Sequence, residues 1–277
     1  MTGSAYDSPL SLQNALADAL RDLPGAVELR AFGSLAHGTH DRYSDIDLEL
    51  LTADSDASRA ARQAVIERVA PIWLEWRIHP SHSGWAATIL FANLSPFRRL
   101  DLGITPVGSA ASVDTLDAQT VLWIQEPAAA IPESARTPVY APAVGTPEHA
   151  ILEHLLSATR YVKARKRGQV LTAYRFASAL AHAAFAMLEA GRTGDIGSLS
   201  RRTSTTGFLA LDRNLPASER HDLLSLLDFS SPERMDAAVL GLLRYTLTRH
   251  DALPGANAFP PDTAARLLAF IEEALRP

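Results

Sequence analysis

Between Asp45 and Leu50 the chain reads DIDLEL, acid and aliphatic at alternate positions, a period of two that suits a β-strand with one wet face and one buried face. In a helix the same residues would spread charge around the whole circumference. As a strand, the segment puts Asp45, Asp47 and Glu49 on one side and Ile46, Leu48 and Leu50 on the other. The fold must therefore supply an apolar layer beneath one face and accommodate three carboxylates on the other. It has the material for this, since 47% of the 277 residues are apolar and 21% charged, enough burial to outweigh chain entropy. At about 100 to 200 residues per domain, the length predicts two domains.

Around that strand the pattern alternates between helix and strand. Pro9 to Leu23 has helical spacing and is stopped by Pro24-Gly25; Ala26 to Phe32 reads as a strand with a turn beginning at Gly33. A helix is predicted over 56–70, then a hairpin of Trp73 to His79 and Trp85 to Phe91 across a polar turn. Arg99 to Thr105 is a further short strand that carries Asp101 between two leucines. Glu126 to Pro147 is rich in Pro and Ala without periodicity, which places a linker at 127–146 between a first domain, 1–126, and a second, 147–277. The second domain is helical throughout, with stretches at Glu148 to Lys166, Leu171 to Glu189, 217–228, 232–249 and 261–275. The fold class is α+β, and no internal repeat is evident.

Composition narrows the chemistry. Without cysteine there is no disulfide, thiolate metal site or cysteine nucleophile, so any metal must be held by carboxylates or histidines. The first ten residues lack a basic-then-apolar leader and no run of about 18 apolar residues occurs, which predicts a soluble cytoplasmic protein. Residues 1–146 hold 10 Arg and no Lys against 17 acids, a balance of −7, and the remainder carries +2 of the total −5. An acidic half is a poor footprint for nucleic acid and suits a metal ion or a cationic substrate. The two lysines, Lys163 and Lys166, sit three apart near a helix end.

The candidate site is built from three pieces. A bend at Gly33 lets the backbone approach a ligand closely, and Ser34 offers a hydroxyl and an N–H to a phosphate oxygen. Asp45 and Asp47, two apart on one strand face, reach a shared divalent ion of the kind that bridges substrate phosphates, and Asp101 on a neighbouring strand completes a cluster able to hold two. Taken alone, the acidic face would be a solvated surface; the glycine, the serine and the third acid together favour function. Glu49 lies about 7 Å beyond Asp47 and is expected behind the ligands or at the edge. His37, His40, His79 and His82 have no metal-ligand spacing and are read as loop histidines, while Arg42 and Ser44 either touch phosphate or order the loop. Trp73, Trp76 and Trp85 form an aromatic wall or part of the core, and because Trp73 and Trp76 face opposite ways at least one is core.

The order Phe32-Gly33-Ser34, a spacer from Leu35 to Ser44, Asp45-Ile46-Asp47-Leu48 and then Arg99-Leu100-Asp101-Leu102 resembles the DNA polymerase β-like nucleotidyltransferase superfamily over about Val27 to Thr105. With a helical second domain it looks like the antibiotic nucleotidyltransferases. The resemblance implies a mixed sheet with flanking helices and Mg²⁺-dependent transfer of a nucleoside monophosphate from an NTP, ATP in the first instance, to a hydroxyl of an aminoglycoside or lincosamide. It implies Asp45, Asp47 and Asp101 as ligands of two Mg²⁺ ions and Asp101 or a second-domain acid, Glu148 or Glu153, as general base. By the same resemblance Gly33 and Ser34 hold the triphosphate, and from their own positions Ser44 in the loop and Lys163 near its helix end are candidates to touch it as well. Cations such as Arg165 and Arg167 at a helix C-terminus also answer the macrodipole without further function. Two alternatives remain: nucleotide transfer onto a protein or RNA partner, against which acidity weighs for RNA, and a noncatalytic nucleotide sensor, against which three mutually repelling carboxylates weigh.

Overall fold

The computed structural model describes residues 6, 8–78, 84–108, 119–127, 146–194, 213, 215–249 and 261–276. The interior of the expected linker and the hairpin turn with His79 and His82 lie outside them. The chain divides into two compact units, Met1–Ala141 and Pro142–Pro277.

In the first unit, α1 (Pro9–Leu20) opens on a Ser8–Ser11 capping box and ends at Leu20, short of the expected Leu23. Leu23 folds back on Leu20 in a turn, and Gly25, with φ +72°, leads into β1 (Ala26–Ala31). There follow α2 (Gly33–Ala36), β2 (Ile46–Thr52), α3 (Ser55–Glu67), β3 (Ile72–Arg77), β4 (Trp85–Phe91), β5 (Leu100–Pro106) and β6 (Thr120–Ile124). The six strands form one sheet in the order β3-β4-β5-β2-β1-β6, mixed because β2 and β5 run parallel while the other pairs are antiparallel. β6 was not expected from sequence: TVLWI is short, mostly apolar and does not alternate. It belongs to the sheet because Trp123 is buried and its indole N–H donates to the Ala17 carbonyl at 2.8 Å.

Strand alternation sets the layers. Ile46, Leu48 and Leu50 of β2, Leu100, Leu102 and Ile104 of β5 and Leu29 of β1 share a core with Leu12, Leu16 and Leu20 of α1 and Val65 and Ile66 of α3. Each such side chain contributes about 1.5–3 kcal/mol through burial, and together they pin the register that decides what the opposite face presents. The hairpin forms as β3 against β4. Trp76 and Trp85 are both buried, so they do not stand as an open aromatic wall. The Arg62 guanidinium covers the Trp85 ring at 4.6 Å and pairs with buried Glu75.

The second unit is helical where described: α4 (Pro147–Lys166), α5 (Val170–Thr193), α6 (Ala217–Ser225), α7 (Pro232–Thr248) and α8 (Pro261–Leu275). Gly168, at φ +69°, separates α4 from α5. No helix among the described residues is long and apolar enough to cross a membrane. Asp236 of α7 ties down α4, taking Arg165 through Nε at 2.8 Å and Nη2 at 2.9 Å and also the Tyr161 hydroxyl. Seven residues before Tyr161 on α4, His154 is buried, its Nε2 3.3 Å from the Thr246 hydroxyl, which itself donates to the Leu242 carbonyl. Burial pushes the His154 pKa down to about 4.

An imidazole that titrates normally when unfolded but near 4 when folded stabilises the fold above about pH 6.5, and that stability is lost as pH falls toward 4. Urea unfolding followed by helical circular dichroism should therefore lose about 3 kcal/mol from this group between pH 7 and 4, and His154→Leu should remove that part of the slope.

Candidate active site

Parallel pairing of β2 with β5 sets Asp47 directly abreast of Asp101, and Asp45 stands one residue before β2, where the Ile46 N–H donates to the Arg99 carbonyl at 2.9 Å. One carboxylate oxygen from each of Asp45, Asp47 and Asp101 falls within 4.8 Å of the others, a group able to hold a metal ion. Asp45 is buried and the other two half-buried. Three carboxylates this close repel strongly unless a cation lies among them.

Arg99 is that cation. It is 5% exposed, donates from Nε to Asp101 Oδ2 at 3.3 Å and from Nη2 to Asp45 Oδ2. Burial alone would lower its pKa, but Asp101, Asp45 and Asp47 outweigh this and hold it above the ordinary arginine value. Nothing in the resemblance drew attention to Arg99. The signal was there in the spacing, since a residue two before Asp101 on a strand shares its face. Asp101 Oδ1, in contrast to Oδ2, is buried with no hydrogen-bond partner among the described residues.

The glycine and serine approach the same cluster. Gly33 has φ +61°, and a Cβ there would stand 2.5 Å from Asp47 Oδ2, so the backbone comes this close only because the position is glycine. Where a simple turn was expected, Gly33 begins the one-turn helix α2, its entry fixed by the Phe32 N–H on the Asp47 carbonyl at 3.0 Å. The spacer is an ordered turn. Ser34 Oγ donates to Ser44 Oγ at 2.9 Å, and Ser44, fully buried, accepts the Asp41 N–H at 3.0 Å and reaches Asp41 Oδ1 at 3.3 Å.

Glu49, expected behind the ligands or at an edge, is 8% exposed and lies over Gly103 of β5, with Oε1 accepting from the Thr105 hydroxyl at 2.9 Å. His37 is exposed at the end of α2, and among the described residues no histidine joins the metal-capable group. Asp45, Asp47, Asp101, Gly33, Ser34 and Ser44 are thus brought together in the first unit. Lys163 stands half-buried in the last turn of α4, Glu148 buried in its first turn and Glu153 half-buried between them, all in the second unit.

Residues 14–72 match the sequence family described as Nucleotidyltransferase domain. The first unit thus carries a segment similar to a nucleotidyltransferase domain. The matched stretch runs from α1 into β3 and takes in Gly33, Ser34, Asp45 and Asp47, while Asp101 joins them through β5. No curated protein matches the sequence. Two solved structures align at 13% identity each. One is an aminoglycoside 6-adenyltransferase from Bacillus subtilis, with TM-score 0.39, covering 97% of this chain and 99% of that one. The other is a STING-associated CdnE c-di-GMP synthase from Capnocytophaga granulosa, with TM-score 0.23, covering 98% and 86%. At that level of similarity neither bears on the substrate.

In the first unit, Arg99→Met should leave the three carboxylates uncompensated and destabilise the unit by about 3–5 kcal/mol in chelator, as does breaking a buried ion pair from one side. Added Mg²⁺ should restore more stability to the variant than it adds to the wild type, read from thermal unfolding with and without the ion.

Proposed function

We propose that the protein transfers the nucleoside monophosphate of an NTP, ATP in the first instance, to a hydroxyl of a small cationic acceptor such as an aminoglycoside or lincosamide, releasing pyrophosphate. The observation that carries this is the abreast pair Asp47 and Asp101 with Asp45 beside them, one turn from the glycine–serine start of α2. The site fits a hard divalent ion: its donors are all carboxylate oxygens, one of them, Asp101 Oδ1, buried without a partner, and one arginine against three acids leaves negative charge over. Asp45, Asp47 and Asp101 would hold Mg²⁺, as two ions, and the metal when bound neutralises the triphosphate and its leaving group.

The chain's own residues account for the rest. Gly33 and Ser34 present backbone N–H and hydroxyl to the triphosphate, and Ser44 orients Ser34 through the 2.9 Å hydroxyl contact. Arg99 keeps Asp45 and Asp101 aimed at the reacting centre. The acceptor hydroxyl gives its proton to Asp101, its oxygen bonds to the α-phosphorus, and the bond from that phosphorus to the bridging oxygen breaks, its electron pair leaving with pyrophosphate. Glu148 and Glu153 of α4 are the alternative bases. In this reading the catalytic domain is 1–126 and the helical domain is 147–277. The balance of −7 over residues 1–146 supports a cationic acceptor and disfavours nucleic acid.

Incubation with labelled ATP, Mg²⁺ and a panel of aminoglycosides and lincosamides should yield a nucleotidylated acceptor and pyrophosphate. Asp47→Asn should lower the rate by about 10³-fold or more, the scale of losing a principal electrostatic group. No product from any acceptor, with Asp47→Asn indistinguishable from wild type, ends the reading.

A further inference from the structure

Five arginines of the first unit, Arg30, Arg59, Arg62, Arg68 and Arg99, each pair with a carboxylate. Arg98 does not. Among the described residues its guanidinium makes one hydrogen bond, from Nη1 to the Arg42 carbonyl at 2.9 Å, and has no carboxylate partner. The side chain is half-buried, and burial lowers its pKa while Asp41 pulls the other way, so it stays charged. A cation that has given up part of its hydration, with Asp41 acting on it only through space, is set up to receive an anion.

Its place says which anion. Arg98 sits in the turn entering β5 and holds the turn entering β2, the two strands that carry the carboxylates. Edge-to-face packing of Tyr43 on Phe97, 5.2 Å between centroids, locks the two turns together. From Ser34 the contacts run through the Ser44 hydroxyl to Asp41, next to Arg42, whose carbonyl Arg98 holds. Arg98 is thus fixed to the same turn that orients the phosphate-facing serine. Its neighbour Arg99 is consumed by Asp45 and Asp101 and has no charge to give.

We propose that Arg98 binds the β- and γ-phosphates of the NTP and holds the pyrophosphate as it leaves. This rests on the nucleotidyl-transfer reading and adds to it a cation from within the catalytic domain. Arg98 donates N–H to the oxygen that takes up the electron pair of the broken phosphorus–oxygen bond, and it neither gains nor loses a proton in the step. A planar guanidinium suits that bidentate contact.

Calorimetry on the full chain with Mg²⁺ tests it, using α,β-methylene ATP, pyrophosphate and AMP as probes. Arg98→Gln should weaken α,β-methylene ATP and pyrophosphate by about 10- to 100-fold, the range for a hydrogen bond to a charged group, and leave AMP affinity where it is. Arg98→Lys should regain much of the loss. Wild-type affinity for the first two probes in Arg98→Gln, with Asp47→Asn losing it, overturns the role of Arg98 alone. An equal loss for all three probes overturns it too, since a mere brace between turns would not distinguish AMP from the triphosphate. Absence of any Mg²⁺-dependent binding to the wild type overturns the nucleotidyl-transfer reading and this one with it.

Discussion

Asp47 and Asp101 stand abreast because β2 and β5 are parallel and in register from Ile46 with Leu100 to Thr52 with Pro106. A parallel pair cannot be joined by a tight turn. The chain therefore leaves β2, runs through α3, β3 and β4, and returns as β5, and α3 on that path packs over the sheet's apolar face. One pairing thus sets both the topology and the acidic cluster. It is held from both sides, by Leu48, Leu50, Leu102 and Ile104 in the core and by Arg99, which spans the two strands from Asp45 to Asp101.

Close approach of backbone to carboxylate is the second constraint. With 2.5 Å between Asp47 Oδ2 and the place a Gly33 Cβ would take, any side chain at 33 would push the Asp47 carboxylate out of its place. The helix that Gly33 opens has four residues and makes little stability of its own. It is positioned by what it touches: the Phe32–Asp47 backbone bond at its start, the Ser34–Ser44 hydroxyls beyond, and the Thr120 hydroxyl of β6 on the Ala36 carbonyl at 3.3 Å. The late strand β6 therefore bears on the site although it carries no acid.

Much of this was legible in the residues. Alternation from Asp45 to Leu50 is a local property, and so β2, its two faces and the two aspartates followed from it directly. Asp101 was legible because it lies between two leucines in a short apolar run. What the pattern could not carry was pairing: which strand lies beside which depends on contacts distant in sequence, and β6, with no alternation and an edge position, has almost no local signature. Arg99 shows the same limit from the other side. Its spacing to Asp101 was visible, but its significance comes from Asp45, 54 residues away in the chain. Glu49 likewise continues the acidic alternation, yet Thr105 across the strand pair takes it out of the open face.

The charge balance reads differently once the pairs are drawn. Elsewhere in the first unit four acids are answered locally by arginines: Glu28 by Arg30, Asp56 by Arg59, Glu75 by Arg62 and Asp22 by Arg68. The surplus of −7 is therefore not spread evenly, and part of it collects where three aspartates share one arginine. Next to that floor, on turns entering the same two strands, Arg42 and Arg98 bind a phenol and a carbonyl rather than carboxylates. Acid on the floor and base on the rim is the separation a metal–polyphosphate complex calls for, because the ion must be held by anions while its phosphates need cations. A uniformly acidic surface would hold the metal and repel the nucleotide. The local pairing elsewhere in the unit lets the two signs stand apart here.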